Sequence, residues 1–337
     1  MEFQVLTLNE LFAASVELYH DRIALKLSTP QKRRNYYETS YGELGELAGR
    51  LFTEGRLAFR GLRTLGTPRR LVLHVEELAE AQEPLITKVI GPAERVAFEE
   101  GKPTRAAEGF ARAQGVSLEE LKIAETERGR YLSIERREEG RETGELLKEL
   151  LPRLVRELPS PKSMRWGEGE LRFVRPIHWV ACLFGGEVIE FELEGIRSSG
   201  SSRGHRFLSP GTFSFKNFRD YLQGARERFV LVEPEERRGR IAELIEEKAR
   251  ELGGEALKEV ELLETVGNLV EWPVAISGSF DPKFLSLPKE VLISALRDHQ
   301  RCFSLIGPGG ELLPHFISIS NTTPQDEAVV RAGNERV

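Results

Sequence analysis

The sequence predicts an α+β fold of mixed α/β content, with antiparallel and mixed sheets and helices packed on them. Three observations carry that prediction. Segments with helical spacing and segments with alternating apolar residues follow one another irregularly. No stretch recurs at a fixed period. No G-x-G-x-x-G follows a strand, which removes the doubly wound dinucleotide fold. The chain has 337 residues, 40% hydrophobic and 30% charged, enough for two domains with a sizeable core.

Residues 8–19 place Leu8, Leu11, Phe12, Val16 and Leu18 near helical spacing, and IALKLST after them alternates like a strand. A second helix is expected from Ser40, with serine as its cap, glutamate three residues on, and Leu44, Leu47 and Leu51 on one face. Leu71, Leu73 and Val75 then alternate as a strand entered from Pro68. Residues 104–121 read as two short helices broken at Gly115, the second capped by Ser117, and RYLSIERREEG reads as a strand. TGELLKELLPRLVREL is amphipathic and is expected to be interrupted at Pro152, with PSPKS as a linker.

Beyond the linker, ELRFVRPIHWVACLFGGEVIEFELEGI reads as adjacent strands around a Gly-Gly turn. Charged helices broken at Gly253–Gly254 follow, then a strand in LVEWPVAISGSF, a helix after Pro288 and a last strand in PHFISISN. The resulting division is an N-terminal helix–strand–helix segment 1–54, an α/β region 55–160 and a sheet-containing region 161–337.

Catalytic motifs are missing. There is no phosphate loop, no H-x-x-x-H pair and no nucleophile elbow, so neither a catalytic residue nor a metal site is proposed. PKSMR and GNER only mimic short pieces of ATP sites. Cys182 and Cys302 offer no disulfide framework, which fits a cytoplasmic protein. The N-terminus is not a secretion signal, and no apolar run is long enough to span a membrane.

The cations are more informative. Lys+Arg 48 against Asp+Glu 54 gives a net charge of −6, yet Arg197, Arg203, Arg206, Lys216 and Arg219 fall within residues 195–219 with no acid among them. A GSSRGHRF loop can present Arg203, His205 and Arg206 to phosphate; the alternative is that these arginines pair with acids of EFELEGI. Arg69 and Arg70, from G-T-P-R-R, suit a phosphate backbone or a partner carboxylate, or else are a solvated strand start. His178, between Ile177 and Trp179, is expected to be a satisfied core histidine.

Several long words occur in series: RTLGTPRRLVLHVEEL, KVIGPA, PTRAAEGFARAQGVSLEEL, SPKSMRWGEGELRFVRPIHWVACLFGGEVIEFELEGIRSSGSSRGHRF, LVEWPVAISGSFDPKFLSLPKEVLISALRDHQRCFSL and LPHFISISN. Together they resemble the β subunit of bacterial glycyl-tRNA synthetase, over about residues 55–337. The resemblance implies an enzyme by membership, in which an α subunit holds the class II active site with its ATP and Mg2+, and the β subunit binds and positions tRNA-Gly in an α2β2 assembly. This chain would bind no cofactor itself. Arg69, Arg70, Lys162, Arg165, Arg175, Arg203, His205 and Arg206 match family motifs and become candidate tRNA or α-subunit contacts. The resemblance also implies a module like the B3/B4 region of phenylalanyl-tRNA synthetase. Residues 1–52 instead resemble the start of an AMP-forming acyl or amino-acid ligase. The resemblance also implies that the family continues past GNERV into a helical domain and an anticodon-binding domain, which this chain is expected to lack. The other readings are a non-catalytic RNA-binding module and an adenylate-forming acid ligase.

Overall fold

The structure is a computed structural model, and the residues it describes are 2–5, 36–99, 101–159, 163–166, 169–323, 333 and 335. The helix expected at 8–19, the strand after it and Lys162 lie outside the described residues. The chain divides into two compact units. The first comprises Met1–Phe52, Phe59–Leu78 and Leu147–Val337, and the second comprises Thr53–Ala58 and Ala79–Leu146. The second unit is thus an excursion within the first, and the borders differ from cuts at 54 and 160.

In the first unit a helix spans Tyr36–Glu54, so Ser40 lies inside it and does not cap it. Leu44, Leu47, Ala48, Leu51 and Phe52 are buried at the spacing of one helical face. Next comes a hairpin, Leu62–Thr67 and Arg70–Val75, where the sequence predicted only the second strand. Thr67 pairs with Arg70 across a two-residue turn of Pro68 and Arg69. Such turns usually need a residue of positive φ, which neither Pro68 nor Arg69 has. Here the Thr67 hydroxyl accepts the Arg69 N–H at 3.2 Å and tightens the loop.

The hairpin belongs to a seven-stranded sheet. Its order runs Glu192–Leu193, Ile196–Ser199, Val180–Phe184, Glu2–Val5, Arg70–Val75, Leu62–Thr67, with Glu187–Val188 paired to Val180–Phe184. Val180–Phe184 and Ile196–Ser199 are parallel and the other pairs antiparallel, so the sheet is mixed. The expected Gly-Gly turn is present, with Gly185 and Gly186 both at positive φ. Phe213, Phe215, Tyr221, Ala225, Val230 and Val232 fill a core with Val72, Ala181 and Leu183 of the sheet.

A four-stranded antiparallel sheet in the same unit runs Glu255–Ala256, Phe303–Ile306, Leu312–Ser320, Val274–Ser279. The helices Pro234–Glu251 and Val260–Gly267 supply Ile241, Ile245, Ala249, Leu262 and Val266 to the core it shares with Phe303, Leu305 and Ile317. The helix after Pro288 runs Lys289–Ser294, then widens to a π-helix over Ala295–Gln300 and stops at Arg301, which is left-handed with φ 57.

In the second unit, Leu85–Ala93, Gly129–Glu138 and Lys122–Thr126 form a three-stranded antiparallel sheet. The helix Arg105–Gln114 is capped by the Thr104 side chain and ends at left-handed Gly115, where the sequence predicts the break. Ala97, Ala107 and Leu132 make its small core. The helix Thr143–Glu157, which begins in this unit and continues in the first, passes through Pro152 without a break. Burial of Leu147, Leu151, Leu154 and Val155 holds it across the lost hydrogen bond. Among the described residues no helix is long and apolar enough to cross a membrane.

Candidate functional site

The turn Thr67–Arg70 delivers two neighbouring arginines to different environments. Arg70 opens its strand and is 2% exposed. Its Nη1 donates to the Glu271 carboxylate, and its Nη2 donates to the carbonyls of Arg203 and Gly204, the latter at 3.1 Å. The Thr67 hydroxyl donates to the same Glu271 oxygen at 2.6 Å. Burial opposes ionisation of Glu271, but Arg70, the Thr67 hydroxyl and Arg69 more than offset it and hold the carboxyl below the usual range. The result is an ionised, buried pair.

Glu271 also ties down its surroundings through its backbone. Its N–H donates to Asn321 Oδ1 at 2.5 Å, and its carbonyl accepts the Leu231 N–H at 2.9 Å. Arg237, fully buried, donates to the carbonyls of Leu231 and Val232 at 2.6 and 2.8 Å, of Gly267 at 2.9 Å and of Gly66 at 2.7 Å. Four segments distant in sequence therefore meet at two buried guanidinium groups.

Outside this core lies a cationic surface. Trp179 is buried, and its ring lies 5.6 Å from Cζ of Arg70 and 5.3 Å from Cζ of Arg203. Arg203 is exposed and has no carboxylate at ion-pair distance among the described residues. His178 is exposed as well, which corrects the expected core histidine: alternation along the chain sends Ile177 and Trp179 inward and His178 outward. Burial, then Arg203 and Arg69, push its pKa below the ordinary histidine value. Arg69 is half-buried, and its pKa is lowered by burial, which Glu271 opposes and Arg70 and Arg203 reinforce.

The same loop holds His205 and Arg206. His205 is fully buried, and its Nδ1 accepts the N–H groups of Phe207 and Leu208 at 3.3 and 3.2 Å. Burial lowers its pKa, and because Nδ1 accepts two N–H groups, the proton of the neutral ring lies on Nε2. Arg206 is half-buried with Cζ 5.5 Å from the ring of exposed Phe207.

Of the eight sequence candidates, the structure brings Arg69, Arg70, Arg203 and His205 together and keeps Arg206 on the same loop. Arg70 and His205 point into the protein, so their geometry is that of supports and not of direct contacts with a partner. Arg175 is also buried. Arg165 is exposed in the short strand Met164–Arg165, paired with Arg172–Phe173. Arg197 reaches Glu192 at 3.7 Å, so pairing with the EFELEGI acids holds for Arg197 and not for Arg203. Sequence reasoning missed Trp179, Glu271 and Arg237. The signal for Glu271 was present, as one acid inside the apolar run LVEWPVAI. Among the described residues no group of His, Cys, Asp and Glu could hold a metal ion.

Comparison with known proteins places these residues in a family. The family model described as "Glycyl-tRNA synthetase beta subunit" matches residues 35–337. A protein of Syntrophus aciditrophicus named glycine--tRNA ligase beta subunit is 44% identical over 318 residues, covering 94% of this chain and 46% of the relative. The protein of that name from Geobacter sp. (strain M21) is 47% identical over 287 residues, covering 85% of this chain and 42% of the relative. The chain spans less than half the length of these curated relatives. The match also moves the family border from about residue 55 to residue 35, which takes residues 35–52 of the supposed ligase-like segment into the family. This chain belongs to the glycyl-tRNA synthetase β-subunit family.

Proposed function

We propose that the chain works as part of a glycine--tRNA ligase β subunit, binding tRNA-Gly and positioning it for an α subunit in a cytoplasmic α2β2 assembly. The α subunit would activate glycine with ATP and Mg2+, and this chain would supply no reacting group. The observation that carries the reading is the exposed Arg203, fixed on Trp179 without a carboxylate partner among the described residues, in a chain of this family.

The division of labour is physical. A guanidinium that is already ordered loses little side-chain entropy when it meets a phosphate, and its planar fork matches the phosphate oxygens. Arg70 and Glu271 neutralise each other inside the protein, so the exposed charge beside them is that of Arg203, with Arg69 and Arg206 half-buried. The net charge of −6 would repel RNA elsewhere, which concentrates attraction on this surface.

The test is glycylation of tRNA-Gly by a matched α subunit, with and without this chain, together with co-purification of the two. Glycyl-tRNA formed only when both are present supports the reading. Failure to co-purify and failure to charge would contradict it, and RNA binding without either would favour the non-catalytic RNA-binding module.

A further inference from the structure

Phe207 lies in the connection 204–211 of the hairpin formed by Ser201–Arg203 and Thr212–Ser214. It is 67% exposed, yet its backbone is fixed. Its N–H and that of Leu208 donate to the buried His205 ring, and the Ser209 N–H donates to the His205 carbonyl at 3.0 Å. The Phe207 ring centroid is 6.2 Å from that of His205 and 5.5 Å from Cζ of Arg206. At the start of the same loop, Arg70 holds the carbonyls of Arg203 and Gly204.

The His205 N–H donates to the Arg228 carbonyl at 2.9 Å, which sets this loop against the turn that ends the helix Phe218–Arg226. In that turn Phe229 has φ 59, and the Val230 N–H donates back to the Ala225 carbonyl at 2.9 Å. Glycine is the usual residue at this left-handed position of a helix stop, because a bulky side chain is strained there. The Phe229 ring meets Trp272 edge-on, with centroids 5.2 Å apart and planes at 88°, and remains 38% exposed. Trp272 follows Glu271, so these rings share the buried base that holds Arg203. Glu227, exposed at the same turn, accepts from Gln223 at 2.9 Å and lies 3.8 Å from Arg228.

A duplex hides the faces of its bases within the stack, whereas an unpaired base can lie flat on an aromatic ring. Fixed guanidinium groups set among exposed rings match a strand in which each nucleotide offers one phosphate and one base face. We propose that Phe207, with Phe229 and Trp272 beside it, is a stacking platform for unpaired bases, so that this surface takes single-stranded nucleotides whose phosphates meet Arg203 and Arg206. This rests on the RNA-binding reading above and adds to it the kind of RNA segment bound and the residue that holds it.

The experiment is fluorescence anisotropy with the whole chain and three labelled RNAs: tRNA-Gly, a single strand of about 12 nucleotides and a blunt duplex of the same length. It uses the wild type, Phe207→Ala, Phe207→Trp and Arg203→Gln, with melting curves for each. Phe207→Ala should lose about five- to tenfold in affinity for the single strand and less than about twofold for the duplex. Phe207→Trp should restore single-strand binding, because the larger ring still stacks, and Arg203→Gln should weaken binding of both RNAs. Phe207→Ala that binds the single strand like the wild type overturns the proposal, as does equal weakening on single strand and duplex. If Arg203→Gln still weakens binding in that case, the RNA reading stands without the platform. No binding of any of the three RNAs by the wild type would overturn both. Phe207→Ala that keeps its RNA affinity but no longer co-purifies with an α subunit would make the rings a protein-docking surface, and would also overturn the proposal.

Discussion

Glu271 is the residue on which most of the site depends. It is an acid with no exposure, ionised because Arg70, Thr67 and Arg69 together outweigh the penalty of burial. Removing it leaves the Arg70 charge buried, and Glu271→Ala is expected to lower stability by about 3–5 kcal/mol in denaturant unfolding. Replacing both members, with Arg70→Met and Glu271→Leu, should recover part of that loss, because no lone charge remains. His205 gives a second prediction. Its folded pKa is lowered by burial, so its contribution to stability is fully present above about pH 6.5 and is lost as the pH falls towards the folded value. His205→Gln should flatten the fall in melting temperature between about pH 6.5 and pH 5. The arginines of G-T-P-R-R were legible as candidate contacts, but sequence could not tell the fully buried one from the half-buried one. That choice is made by strand register: Arg70 opens the strand facing the core and Arg69 occupies the turn.

Elements were most legible where their signals are local. Gly115 marks the end of the helix Arg105–Gln114, because a left-handed residue acts within one turn. The strand Leu62–Thr67 was missed because Gly66 within it and Pro68 just after it look like loop, and only its pairing with Arg70–Val75 makes it a strand. The helix through Pro152 was misjudged for a similar reason, since burial of Leu147, Leu151, Leu154 and Val155 in the tertiary fold outweighs one missing hydrogen bond. Close approaches are equally invisible from sequence. Gly278 faces Phe316 across the antiparallel pair of strands, and a Cβ there would run into the buried Phe316 ring. Gly278→Ala is expected to destabilise by about 1–3 kcal/mol through overpacking, measured by urea unfolding. Gly91 is in a comparable position against Phe110 in the second unit.

At the scale of the whole molecule, family membership was legible through long runs of residues and not through a catalytic motif, and the nested second unit was not legible at all. Nesting is a matter of contacts between residues far apart in the chain, which composition and periodicity do not encode. Electrostatics at this scale is a contrast between a net charge of −6 and one surface of arginines. Binding there should therefore be strongly salt-dependent, because each neutralised phosphate releases counterions. The most direct measurement is filter binding of tRNA-Gly across a salt series to the wild type and to an Arg203→Gln/Arg206→Gln variant. The account predicts a variant that melts like the wild type, binds about tenfold more weakly at low salt and has a salt slope smaller by about two. A variant with unchanged affinity and unchanged slope would contradict it, and would make the arginine surface a solvated face of the fold.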